Sequence, residues 1–148
     1  MLRLALILLA TFAAVSAHAQ AVGDVARRAI QRTLNGVQAP IYGAGKVLPG
    51  VTAAYTAGTN GCRSDILTVY PAHSHSGSSF AARTQQDVIN WNRVTGVKLQ
   101  DAYVIVFAPD LVAAGRYLYA GSAIAAAVLK AHMDNLTSIC GGPGAATA

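Results

Sequence analysis

Hydrophobic positions along this chain change their period several times, and each change marks a candidate element. Residues 4–15 form an almost unbroken apolar run. Residues 22–35 then take up helical spacing: Val22, Val25, Ala26, Ala29, Ile30 and Leu34 share one face, and Arg27, Arg28, Gln31 and Arg32 share the other. Asp24 suits the first turn of that helix, and Gly36 suits its end.

The next stretch, Gly36 to Gly61, is rich in turn formers and predicts a short strand at residues 51–56. "DILTVYP" has the β-branched and aromatic content of a strand over residues 66–70, stopped by Pro71. "PAHSHSGSSF" reads as a polar loop, with Ser78 or Ser79 capping a helix over residues 80–94. Phe80, Thr84, Val88 and Trp91 would face inward from it, Trp91 as a core anchor, and Gly96 would end it. "AYVIVFAP" is apolar on both faces, which places a strand at residues 103–108 in the middle of a covered sheet.

Asp110 opens a further helical pattern to about Ala120, and Gly121-Ser122 break it before a last helix through Ile139. On a helix Tyr117 and Tyr119 cannot share a face, so at most one belongs to the core. The expected fold is therefore α+β. It is a small single domain with a short central sheet (residues 51–56, 66–70 and 103–108) packed by N-terminal, middle and C-terminal helices.

The start of the chain bears on location. Arg3, the apolar run and Ala17-His18-Ala19 follow the charged, apolar, small-residue order of a secretory signal with an A-x-A cleavage site. Cleavage after Ala19 divides the chain into a signal peptide at 1–19, a domain at 20–140 and a flexible tail at 141–148. The run is short for a membrane span, which needs roughly 20 apolar residues, so no span is expected after cleavage. The C-terminal helical region is interrupted by Arg116 and Lys130, which argues against a span there as well.

Cys62 and Cys140 are the only cysteines, and in an exported chain they predict one disulfide. The absence of glutamate, the excess of arginine over lysine and the abundant alanine fit an exported protein of a GC-rich bacterium, periplasmic or secreted. Loss of Arg3 would lower the formal charge from +5 to +4. These charges are scattered and not interleaved with aromatics, so no nucleic acid is expected as a partner.

Candidate chemistry centres on His73 and His75, which on an extended backbone would share a face. With His132 they could ligate Zn or Cu; with Asp65 orienting a ring, either could act as a general base. No nucleophile turn of the G-x-S-x-G kind frames a serine, and the H-x-H pair has no spaced partner motif. The leading expectation is a non-enzymatic exported protein that needs no cofactor and binds a small ligand or an envelope or extracellular protein. The alternative is an exported hydrolase or metal-binding protein built on the His73/His75 loop. A third is a structural subunit of a surface assembly.

Overall fold

The computed structural model describes residues 2–144, with side chains described from Ala17 onward. Helix α1 (Leu2–Leu34) is followed by β1 (Gln38–Gly43), β2 (Lys46–Asn60) and β3 (Arg63–Tyr70). Next come β4 (His73–His75), β5 (Ser78–Phe80) and β6 (Arg83–Asn90), then a 3-10 turn at Trp91–Arg93. Strands β7 (Gly96–Gln100), β8 (Tyr103–Phe107) and β9 (Gly115–Tyr119) precede helix α2 (Ala123–Ile139). The fold is α+β, with two helices and antiparallel sheets.

The strands form a four-stranded sheet of order β1-β2-β3-β6, a three-stranded sheet of order β7-β8-β9, and a separate β4-β5 hairpin. Helix α1 packs against α2 and β2, while α2 lies on β7 and β8. Burial in α1 follows the expected stripe: Ala26, Ile30 and Leu34 are buried, although Val25 is half exposed. The apolar run at residues 4–15 lies where side chains are outside the described residues. Among the described residues, no helix is long and apolar enough to cross a membrane.

Alternation governs the larger sheet. Ala53, Tyr55 and Ala57 on β2 and Ser64, Ile66 and Thr68 on β3 all turn inward. Asn35, just past α1, stands in for a neighbouring strand: its side chain accepts from the Ala57 amide at 2.7 Å and donates to the Ala57 carbonyl at 3.2 Å. On β1 the register slips between Pro40, opposite Thr52, and Tyr42, opposite Val47. The resulting bulge contains Pro49-Gly50 and lets both Ile41 and Tyr42 face the same hollow.

The sequence pattern misplaces two helices and one sheet. Residues 80–94 hold no middle helix but the end of β5, all of β6 and the 3-10 turn. The inward face of β6 carries Gln85, Asp87 and Ile89, and the polar members of that set conceal the alternation that marks a strand. Trp91 is nonetheless buried, as expected. Leu111 to Ala120 forms a 3-10 turn and strand β9, paired with β8, rather than a helix.

The third correction concerns β8. It is central and covered, but in its own three-stranded sheet and not beside β2 and β3. The expected strand at 51–56 is the middle of a longer one, Lys46–Asn60.

Helix α2 begins where Ser122 accepts a hydrogen bond from the Ala125 amide. Its buried positions are Ala126, Leu129, Met133, Leu136 and Thr137. Val128 lies off that stripe and is half exposed, and His132 lies at its margin. The Cys62–Cys140 disulfide is formed, with Cα atoms 5.7 Å apart. Beyond it, the Gly142 amide donates to the Thr137 carbonyl and the Gly144 amide to the Val94 carbonyl; residues 145–148 are outside the described residues.

Candidate functional site

Residues 71–80 are a miniature hairpin rather than a loop leading to a helix. His73 pairs with Phe80, and His75 pairs with Ser78. Ser76 and Gly77 both take positive φ, 52° and 78°, as a two-residue turn of the I′ kind requires. The His73 ring stacks on Phe80 at 4.9 Å, and its Nδ1 lies 3.0 Å from the Pro71 carbonyl. A carbonyl oxygen only accepts, so Nδ1–H is the donor in that contact. His75 is packed beneath the β1–β2 turn, where a Cβ built on Gly43 would come within 3.0 Å of its ring. Its Nε2 is buried without a hydrogen-bond partner among the described residues.

The other sequence candidates are elsewhere. Asp65 faces outward from β3, and both its oxygens accept from Arg63. The Arg63 guanidinium holds its carboxyl below the usual range. His132 borders a separate hollow with His18, Val22 and Val25. So the structure brings His73 and His75 together, and Asp65 and His132 do not join them. Among the described residues no three His, Cys, Asp or Glu side chains cluster as metal ligands would.

A concave hollow lies between the inner face of the larger sheet and strands β8 and β9. It has a volume of about 530 Å³. Five of the chain's six tyrosines line it: Tyr42, Tyr55, Tyr70, Tyr103 and Tyr117. Arg83 and Arg116 also line it, with Thr68 and Gln100. An adjoining hollow of about 500 Å³ shares Ile41, Tyr42, Tyr70 and Arg83 with the first and reaches His73, His75 and Phe80. The two adjoin along these shared residues and are together called the trough.

Register explains how the trough is built. Tyr70 and Arg83 are direct partners across β3 and β6, and the guanidinium sits 3.8 Å from the Tyr70 ring centroid. Tyr117 and Tyr119 are two apart on a strand, so both reach the Tyr103 ring, at 6.4 and 5.2 Å. They lie on a strand and not on a helix, yet at most one belongs to the core, as expected: Tyr117 is half exposed and only Tyr119 packs against it. The Tyr55 hydroxyl accepts from the Tyr119 amide at 3.1 Å and links the two sheets.

Two phenols are perturbed. Burial pushes Tyr55 above its ordinary value, partly offset by that amide. Tyr103 is raised by burial and then by its contact with the Tyr42 hydroxyl. Arg116 reaches in from β9, donating to Thr68 at 2.8 Å and ion-pairing with Asp87 at 2.7 Å.

Comparison with protein-family models, with curated proteins and with solved structures found no match. The sequence pattern does not group the five tyrosines and two arginines of the trough, because they come from six strands. Their one common signal is parity. Tyr55 and Tyr70 sit on the inward set of their strands, where apolar neighbours mark the face.

Proposed function

We propose that this chain is exported and, after cleavage behind Ala19, acts as a non-enzymatic binding protein whose tyrosine-lined trough holds a ligand. One observation carries the reading: five tyrosines and two arginines from separate strands converge on a single open hollow. Aromatic walls with a few convergent polar groups are the usual chemistry of a small-ligand site. Tyrosine adds both a flat apolar face and a hydroxyl that finds partners. Export is supported by the signal-like start and by a disulfide of the kind oxidising compartments permit. The buried positions described in α1, Gly23, Ala26, Ile30 and Leu34, all follow Ala19, so cleavage there leaves them in place.

The test uses the mature, oxidised chain and follows tyrosine and Trp91 fluorescence during titration with oligosaccharides, benzoate-type acids and nucleoside monophosphates. Tyr42 and Tyr117 are each about half exposed, so a Tyr42→Ala/Tyr117→Ala variant should stay folded. Saturable binding that this variant loses supports the reading. Binding that it retains, or no binding across the panel, would refute it. Mass spectrometry of the exported protein checks the expected first residue, Gln20.

A second reading, metal binding or hydrolysis at the hairpin, is favoured by the unpartnered Nε2 of His75 beside His73. Stoichiometric Zn²⁺ or Cu²⁺ uptake, lost in His73→Ala/His75→Ala, would establish it.

A further inference from the structure

We propose that the occupant of the trough is an acidic sugar chain, its carboxylates met by Arg83 and its rings laid against the tyrosines. This rests on the binding reading above and adds the chemical class of ligand.

Charge is the first argument. Among the described residues no carboxylate lines either hollow, whereas Arg83 lines both and Arg116 lines one. The acid nearest to them, Asp87, is taken up by Arg116. Asp24, Asp65 and Asp134 are paired away with Arg27, Arg63 and Lys130. Arg83 is exposed, stacked on Tyr70, and has no carboxylate partner among the described residues. A guanidinium held flat on a ring keeps its N–H edge open for a bidentate carboxylate. The trough therefore attracts an anion.

Shape and surface chemistry narrow the anion. Each hollow has the size of a small-molecule site, about 530 and 500 Å³, and the shared residues join them into a run for more than one ring. Its walls offer phenols, the Thr68 hydroxyl and the Gln100 amide. A pyranose presents what these walls complement: an apolar C–H face and a rim of hydroxyls. A peptide added as a strand is disfavoured on the floor and along β1. The floor of the trough is the face of the larger sheet, whose backbone groups are used in its ladders. Of the edge strands that line it, β1, β6, β7 and β9, the first carries Pro40, which has no N–H, and a register break beside it.

The experiment is calorimetric titration of the mature, oxidised chain with hexameric oligogalacturonate, with cellohexaose as the neutral chain and hexaglutamate as the acidic peptide. Oligogalacturonate should bind, more weakly as salt is raised. Arg83→Gln should weaken it by about tenfold or more with an unchanged melting temperature, and Tyr42→Ala/Tyr117→Ala should remove it. Equal binding of cellohexaose, lost in the tyrosine variant, would overturn the acidic class and leave the trough a ligand site. Equal or tighter binding of hexaglutamate would overturn the sugar class. If none of the three binds, the inference falls. The binding reading falls with it only if the fluorescence panel is also silent.

Discussion

Arg116 Nε stands 2.7 Å from Asp87 Oδ2, and through that contact β9 of the smaller sheet grips β6 of the larger one. The side chains are only 16% and 3% exposed, and the guanidinium also donates to Thr68 on β3. Removing one partner of such a pair leaves a charge buried without compensation, which costs about 3–5 kcal/mol. Asp87→Ala and Arg116→Met should each lower stability in urea unfolding by that amount. Asp87→Leu/Arg116→Met should recover most of the loss, because no unpaired charge remains. Additive losses in the double variant would mean that the two residues act independently.

The same pair shows what could be read in the sequence and what could not. Elements whose buried face is apolar were legible: the Ala26, Ile30, Leu34 stripe, the Ile66 strand, and the Val104, Ile105, Val106 run. So was the disulfide, since two cysteines allow one pairing. Strand β6 was not legible, because its inward face holds Gln85 and Asp87, and Asp87, which accepts from Gln85, finds its ion-pair partner in an arginine 29 residues later. β9 was hidden for a related reason: Tyr117 faces the half-open trough and Tyr119 is only part-buried, so their alternation carries no hydrophobic contrast. His73 and His75 did fall on one face of an extended segment, as their spacing suggested. The trough itself depends on register between distant strands, which local pattern does not encode.

Alkaline pH should loosen the contact between the sheets. Tyr55 and Tyr103 both keep their protons in the folded state beyond the ordinary tyrosine value of about 10. Between the unfolded and folded pKa values the unfolded chain therefore binds fewer protons than the folded one, and stability falls as pH rises. The contribution should be complete below about pH 10 and lost progressively above it. Urea midpoints across the alkaline range should show this decline, and Tyr103→Phe should make it shallower. A Tyr103→Phe curve that falls as steeply as the wild type would assign the effect to other groups.

Trp91, the only tryptophan, donates its indole N–H to Ser64 Oγ at 2.8 Å inside the core. Ser64→Ala would strip the partner from a fully buried donor, at a cost of about 1–3 kcal/mol. The same contact gives a spectroscopic handle. Tryptophan emission should move in the folded variant, while Thr59→Ala, which loses only a hydroxyl contact to Ser64, should leave it nearly unchanged. An unshifted Ser64→Ala spectrum with wild-type stability would show that the bond contributes nothing.

The disulfide joins the turn between β2 and β3 to the residue that closes α2, across a sequence separation of 78. Cys62 is also anchored, since its carbonyl accepts from the Trp91 amide at 2.8 Å. Past Cys140 the chain passes so close to the 3-10 turn that a Cβ on Gly142 would collide with the Trp91 carbonyl. The bridge therefore fixes a point where helix, sheet and tail all meet the core. A loop of that length gives about 4.5 kcal/mol in the chain-entropy treatment. Cys62→Ala/Cys140→Ala should lose most of it in urea unfolding, and reduction of the wild type should lose a similar amount. If the paired variant were as stable as the oxidised protein, the helix–sheet packing alone would be holding this corner. Gly142→Ala, which forces the tail off the Trp91 carbonyl with the disulfide intact, should then be the more damaging change.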